Sequence, residues 1–164
     1  MPTGKPVRQA GFTLLAALFM VAALGVGLAA LGTLWQAASQ HEKEAQLLFV
    51  GDQYRRAIAS YYQATPGVVK QYPAALTDLL RDPRFPHTVR HLRRLYPDPV
   101  TGNATWGLVK AEGEAAGIIG VHSLSAGEPR KRANFSSADH AFEAAATYAD
   151  WVFTAQPQNR APAR

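Results

Sequence analysis

One uninterrupted apolar run constrains this chain more than any other feature of its sequence. Residues 12–35 read FTLLAALFMVAALGVGLAALGTLW, and no ionisable side chain lies between Arg8 and His41. About 20 apolar residues in an α-helix span the hydrocarbon core of a bilayer. Only a helix satisfies its own backbone polar groups there. The sequence therefore predicts a transmembrane helix over residues 12–35.

The charges on either side of this run predict its orientation. Lys5 and Arg8 precede it, and the mixed sequence Glu42-Lys43-Glu44 follows it. Because positive residues favour the cytoplasmic side of a membrane, we expect a cytoplasmic N-terminus and a periplasmic C-terminal domain. The chain has no cysteine, so no disulfide can stabilise that domain.

Three interpretations of the N-terminus compete. A secretory signal cleaved near Ala30-Leu31-Gly32 requires a shorter apolar region, and the helical pattern continues past that site. An uncleaved membrane anchor is the second interpretation. The third is a short basic leader, residues 1–11, that is cleaved after Gly11. The residues around that junction favour the third.

The junction, residues 8–15, reads RQAGFTLL. It resembles the leader signal of type IV pilins and type II secretion pseudopilins, in which a basic leader ends in Gly and Phe-Thr-Leu-Leu or a close variant follows. The resemblance implies cleavage after Gly11 by a prepilin peptidase, and N-methylation of Phe12. It also implies a single-pass protein of a bacterial inner membrane, with its C-terminal domain in the periplasm.

The predicted membrane helix departs from that family at one position. Its fifth mature residue is Ala16, where the family usually has a Glu that is thought to meet the N-terminal amine of a neighbouring subunit. A carboxylate in lipid is costly unless it is paired, so its usual presence implies a function. Ala16 therefore points to a minor or specialised subunit rather than to the main filament subunit.

Glycines within the span have two interpretations. They are either simply tolerated, as in many membrane helices, or they allow close packing and local stretching during filament assembly. The predicted membrane-helix and assembly residues are Thr13, Leu14, Leu15, Ala16, Gly25, Gly27 and Gly32.

A second pattern extends the helix beyond the predicted span, through residues 36–65. Apolar residues recur there at spacings of three and four: Leu47, Val50, Tyr54, Ile58 and Tyr61. This spacing predicts an amphipathic helix with one buried stripe. Thr65-Pro66-Gly67 predicts its end, so one helix is expected from Phe12 to about residue 64.

The remaining domain, residues 66–155, is predicted as a periplasmic head of mixed structure. A short helix is expected from Pro73 to Leu80, followed by an irregular, proline-rich loop. Strands are expected over residues 105–110, 117–123 and 149–154, with a turn over 111–116, an exposed loop over 125–137, and a short helix or loop over 140–148. Residues 156–164 are predicted as a disordered tail. The expected fold class is α+β and pilin-like: one long helix packed on a small antiparallel sheet.

Motifs of the head strengthen the resemblance. They are YPxxL from residue 72, LRRLYPDPxTG from residue 92, WGLV from residue 106 and DWxF from residue 150. Together they look like a pseudopilin group related to the major type II secretion pseudopilin. None of them is a catalytic signature.

Candidate metal ligands in the head lack a supporting pattern. His87 and His91 are four residues apart, a spacing that places two ligands on one face of a helix, but the neighbouring Pro86 opposes a helix. Asp139, Glu143 and Asp150 carry oxygen atoms that suit calcium, which related pseudopilins bind, yet no calcium-loop motif contains them. We therefore predict no metal site and no cofactor, and bound calcium stays an open alternative that no motif supports.

No catalytic residue is predicted either. His122 adjoins Ser123, but neighbouring residues of a strand point to opposite faces, so the histidine is poorly placed to activate the serine. No nucleophile-elbow motif surrounds this serine. The chain also lacks a glycine loop that would bind phosphate. These observations predict a protein that is not an enzyme.

Two basic clusters, Arg90–Arg94 and Arg130–Arg132, contribute to a formal net charge of +5. Three interpretations stay open: a solvated basic surface, contact with an acidic patch of a neighbouring pilin, and contact with DNA phosphates. Trp106 and Trp151 are candidates for stacking on bases, but they are predicted to face the core. Nucleic acid is therefore not an expected partner.

The resemblance implies a non-enzymatic pseudopilin subunit of a type II secretion system or a related pilus, assembling into a short periplasmic filament. Its implied partners are the prepilin peptidase, other pilins or pseudopilins, an inner-membrane assembly platform and the lipid bilayer. Two alternatives stay open. One is a minor type IV pilin for adhesion or DNA uptake. The other is a membrane-anchored periplasmic enzyme or binding module, which a deep pocket with converging polar groups would favour.

Overall fold

The structure is a computed structural model that describes residues 10–111 and 117–155. For residues 10–13 and 25–37 it describes the backbone alone. The predicted leader charges, most of the predicted turn over 111–116, and the predicted tail thus lie outside the described residues.

One long helix, α1, runs from Ala10 to Gln63. It confirms the predicted continuous helix, beginning two residues before Phe12 and ending one residue before the predicted end. The chain divides between Gln40 and His41 into two compact units. The first part of α1 belongs to one unit, and its last part belongs to the other, which we call the head unit.

The side chains of the predicted membrane span are described only in part, because residues 12–13 and 25–35 lie in the backbone-only segments. In the part of the chain whose placement is described, we find no helix with enough length and apolar character to cross a bilayer.

The apolar stripe on the last part of α1 is buried as predicted. Leu47, Tyr54 and Ile58 are fully buried, and Val50 and Tyr61 are nearly so. Each fully buried aliphatic or aromatic side chain stabilises the fold by about 1.5–3 kcal/mol relative to exposure. The stripe therefore attaches the helix firmly to the rest of the head unit.

Three antiparallel strands form the sheet in the order β1-β2-β3. Their bounds are Gly107–Ala111 for β1, Gly117–His122 for β2 and Val152–Thr154 for β3. Val121, at the centre of the sheet, pairs with Phe153 of β3. The chain is thus an α+β protein with one small antiparallel sheet, as expected.

Three short 3₁₀-helices complete the described elements, at Leu76–Leu79, Ser137–Ala144 and Tyr148–Asp150. The last of these corrects the predicted third strand, which begins at Val152 rather than at residue 149. The Asp150 carboxylate accepts hydrogen bonds from the backbone N–H groups of residues 146 and 147 and holds this turn. A local cap therefore replaces the first half of the expected strand.

An aromatic cluster fills the core beside β3. Trp151 stacks on Phe142 with a centroid separation of 5.4 Å, and Phe142 meets Phe153 edge-on at 5.1 Å. Trp106 and Trp151 are both buried, which confirms that they face the core. Each lies immediately before a strand rather than within one.

Candidate functional site

The predicted assembly segment lies on the first part of α1. Gly11, Phe12, Gly25, Gly27 and Gly32 all lie in α1, in the stretches for which only the backbone is described. Every side chain from residue 14 to residue 24 is exposed in the single chain, Ala16 included.

The exposed residues of this segment are strongly apolar. The large ones are 59% to 79% exposed: Leu14, Leu15, Leu18, Phe19, Met20, Val21 and Leu24. At 100° per residue these positions lie on all sides of the helix rather than along one stripe. A helix that is apolar all round needs an apolar environment on all sides.

At the other end of α1, a salt bridge covers the helix C-terminus. The Arg84 guanidinium binds the fully buried Asp82 carboxylate, with Nε 2.8 Å from Oδ1 and Nη2 2.5 Å from Oδ2. It also donates to the Tyr61 carbonyl at 2.9 Å and to Thr65 Oγ1 at 2.6 Å, and it stacks on the Tyr61 ring. Because the last carbonyls of a helix lack intrahelical partners and attract cations, Arg84 caps α1.

These contacts keep the Asp82 carboxylate ionised. Burial alone raises its pKa, but hydrogen bonds from Arg84 and His91 and the Arg84 charge outweigh burial and lower the pKa of Asp82 to about 2. In return, the hydrogen bond to Asp82 raises the pKa of Arg84. The pair is therefore a permanent ion pair at neutral pH.

His91 connects this salt bridge to α1. Its Nδ1 lies 2.9 Å from Ser60 Oγ, and its Nε2 lies 3.2 Å from Asp82 Oδ2. The Ser60 hydroxyl, the His91 imidazole and the Asp82 carboxylate are linked in the same order as the residues of a hydrolytic triad. However, Arg84 already binds both oxygens of Asp82, and Ser60 lies inside α1, where backbone N–H groups serve the helix and cannot stabilise an oxyanion. This geometry supports a structural bridge rather than a nucleophile.

A second fully buried carboxylate, Asp98, organises the turn that follows it. It accepts hydrogen bonds from Ser123 Oγ at 2.7 Å, from Thr101 Oγ1 at 2.9 Å and from the Val100 N–H at 2.9 Å. Gly102 closes the turn with a φ of +76°, a conformation that favours glycine. The hydroxyl of Ser123 is thus committed to Asp98, while His122 Nδ1 lies 2.9 Å from the Ser123 carbonyl oxygen.

Glu44 is a third buried acid, only 1% exposed, near the start of the head unit. Its Oε1 accepts hydrogen bonds from the Tyr148 hydroxyl at 2.8 Å and from the Arg130 N–H at 2.5 Å. Its Oε2 is buried and has no hydrogen-bond partner among the described residues. Burial, followed by the hydrogen bond to Glu44, raises the pKa of Tyr148.

The loop over residues 125–137 is mostly exposed, as expected, but it is attached to α1 at Glu44. Pro129 in that loop is buried, and the backbone N–H groups of Arg130 and Lys131 both donate to Glu44. The loop is therefore attached to α1 through its main chain, because a buried carboxylate requires donors and the loop supplies them.

The residues considered for calcium do not converge. Asp139 pairs with Arg55 at 2.5 Å, Asp150 caps the turn before β3, and Glu143 lies 3.8 Å from His140. Nor do His87 and His91 share a site, since His87 is exposed and the segment around both is not helical. In the described ranges, no group of three or more His, Asp or Glu residues is arranged to hold a metal ion.

The two basic clusters have different surroundings. The arginines of Arg90–Arg94 are exposed in an irregular loop. In Arg130–Arg132, the Lys131 ammonium lies 5.1 Å from the Phe135 ring centroid, and Arg132 donates to the Ala145 carbonyl at 3.0 Å. The buried tryptophans are not available to stack on bases.

No protein-family model, curated protein or solved structure matches this chain.

Proposed function

We propose that this chain is a non-enzymatic pilin-like subunit, a pseudopilin of a type II secretion system or a related pilus. One observation carries the proposal: Gly11 and Phe12 of the RQAGFTLL junction lie in a continuous helix of 54 described residues, α1. A leader cleaved after Gly11 would leave Phe12 as the first residue of that helix.

The apolar residues from 14 to 24 support a membrane location for this part of the helix. Their side chains face outward on all sides, and covering each large one contributes about 1.5–3 kcal/mol. In the proposed function, lipid covers these side chains before the filament assembles, and neighbouring subunits cover them afterwards.

Ala16 supports a minor or specialised place in the filament. Its exposed methyl group cannot pair with the terminal amine of a neighbour, as a carboxylate at this position would. No acidic residue occurs anywhere in residues 10–41. Subunit contacts along this helix would therefore be apolar.

The attachment of α1 to the head unit suits a subunit that has to transmit a pulling force. An assembly ATPase and a platform protein would extract the helix from the membrane, and the head must then follow the helix. The buried stripe, the cap by Arg84 and the bond of Glu44 to the loop attach α1 to the head at several points along its last part. A pull on α1 is thereby transmitted to the head surface.

A charge within the predicted span tests this proposal. Val21→Asp places a carboxylate among the exposed apolar residues, where it costs about 2.5–3.5 kcal/mol in lipid. Phe49→Asp is the matched control, because Phe49 is also an exposed apolar residue of α1, at 60% exposure, but lies beyond the predicted span. We expect Val21→Asp to abolish membrane insertion or assembly, measured by membrane fractionation and by cross-linking, and Phe49→Asp to preserve both. Normal assembly of the Val21→Asp protein would contradict the proposal.

A membrane-anchored hydrolase is the candidate of another class, and the Ser60–His91–Asp82 arrangement is the observation in its favour. The engagement of Asp82 by Arg84 weighs against it.

A minor type IV pilin shares every feature named above for the pseudopilin. A deletion strain separates the two pilin functions, because loss of secretion marks the first and loss of adhesion or DNA uptake marks the second.

A further inference from the structure

Four exposed arginines lie together at the end of the head unit that contains the C-terminus of α1. We call them the arginine surface: Arg81, Arg90, Arg93 and Arg94. The backbone brings them together, because the N–H of residue 82 donates to the carbonyl of residue 89, and the N–H groups of residues 91 and 92 donate to the carbonyl of residue 79. Arg81 and Arg90 therefore lie on paired segments, and the other two arginines follow directly.

The charges of this surface are not neutralised within the described part of the head. There, the side chains of Arg81, Arg90 and Arg93 form no ion pair or hydrogen bond, and Arg94 lies over the Tyr96 ring at 4.9 Å. Asp82 is the single acidic residue between residues 79 and 97, and it is fully buried against Arg84. Asp78, three residues before Arg81, is half-buried and accepts hydrogen bonds from the N–H groups of residues 74 and 75. The four arginines thus form a positive patch without a side-chain ion pair of their own among the described residues.

The patch is also held in place. Leu79 and Leu92 lie in the two paired segments, and both are buried. Arg84, in the loop that joins these segments, binds the C-terminus of α1. The backbone of this surface is therefore already ordered, and the entropy lost when a partner binds is mainly that of the arginine side chains. The guanidinium groups, moreover, bind carboxylates through two parallel hydrogen bonds.

A second copy of this chain does not offer a matching surface in its described residues. The exposed acids there are scattered, and Glu128 and Glu143 lie 3.9 Å and 3.8 Å from Arg132 and His140 of their own chain. Trp106 and Trp151 are buried, so they add no stacking contact for a single-stranded nucleic acid. Leu95, 40% exposed beside the arginines, adds an apolar contact, and arginine with apolar residues is typical of protein interfaces.

We propose that the arginine surface binds an acidic segment of a different protein. The test is fluorescence anisotropy of a labelled peptide of alternating Glu and Leu, titrated with the full-length chain in a non-ionic detergent. The variant replaces Arg90, Arg93 and Arg94 with Gln. The matched control replaces residues 130–132 with Gln and removes the same three charges. Circular dichroism verifies that both variants fold.

The expected result is a loss of peptide affinity of about tenfold or more in the first variant and less than about threefold in the control. Similar losses in both variants would show attraction by net charge alone and would overturn the proposal. So would absence of peptide binding by the unsubstituted chain. Tighter binding of a short DNA duplex than of the peptide would overturn it in favour of nucleic acid.

Discussion

The ring of Phe153 on β3 packs directly against Gly51 of α1, so closely that a Cβ on Gly51 would lie 2.5 Å from ring carbons. Phe153 is fully buried and cannot move outward to make room. A glycine inside a helix costs about 1 kcal/mol relative to alanine. Here it permits close contact between the helix and the sheet.

Gly51→Ala is therefore expected to destabilise the head, although alanine is the better helix former. Overpacking costs about 1–3 kcal/mol, and helix propensity returns about 1 kcal/mol, so we expect a net loss of up to about 2 kcal/mol in the free energy of unfolding. Denaturant titration followed by circular dichroism measures it. Adding Phe153→Leu should make the double variant less unstable than the two single losses combined. A stabilised Gly51→Ala protein would contradict the packing described.

Acid is expected to weaken the cap of α1 through Asp82. Its pKa is about 2 in the folded chain against an ordinary value of 3.8. Because the folded-state pKa is the lower one, the ion pair stabilises the fold above about pH 4, and this contribution is lost as the pH falls towards 2. It amounts to about 2 kcal/mol. The measurement is the unfolding free energy as a function of pH.

Arg84→Gln is the control for the acid prediction, because it removes the main cation that lowers the pKa of Asp82. The variant should be less stable at neutral pH and should lose less stability between about pH 4 and pH 2. An unchanged pH dependence would exclude Asp82 as the source.

Alkali is expected to destabilise the head through Tyr148. Its pKa is raised by burial and by the hydrogen bond to Glu44, so above about pH 10 the unfolded chain releases a proton that the folded chain retains. Stability is then complete below this pH and falls as the pH rises further. Tyr148→Phe should lose about 1 kcal/mol at neutral pH and show a shallower alkaline decline in unfolding free energy. Equal declines in both proteins would contradict the assignment to Tyr148.

The Ser60–His91–Asp82 arrangement is expected to be chemically inert. A fluorophosphonate probe, which labels activated serines, should leave Ser60 unmodified as judged by peptide mass spectrometry. Ser60→Ala should reduce stability by about 0.5–1.5 kcal/mol, the contribution of one hydrogen bond to His91. Covalent labelling of Ser60 that His91→Ala abolishes would instead establish a nucleophile.

Periodicity predicted the parts of the fold that depend on local geometry. The spacing of Leu47, Tyr54 and Ile58 follows the helical repeat, and all three are buried as expected. The first two strands were placed within two residues of their observed starts, because a strand needs only a short run of β-forming residues between turns.

The burial of Glu44 was not predicted, because its partners are distant in sequence. Glu44 binds Arg130 and Tyr148, which lie 86 and 104 residues further along the chain. Nothing near Glu44 in the sequence distinguishes it from a solvated acid on a helix. Asp98 is different, since Asp-Pro followed by Thr-Gly is a turn signal in which the aspartate accepts hydrogen bonds from the turn. That signal was sufficient to expect its role.

The mass of the mature chain tests the proposed function most directly. The protein would be purified from the membranes of a bacterium that contains a prepilin peptidase, and its intact mass and N-terminal peptide would be measured. We predict a chain that begins at Phe12 and carries one methyl group on its amino terminus, while a Gly11→Val variant in the same cells remains uncleaved. An unsubstituted chain that begins at Met1, or at Thr33 after cleavage as a secretory signal, would contradict the pilin-like function.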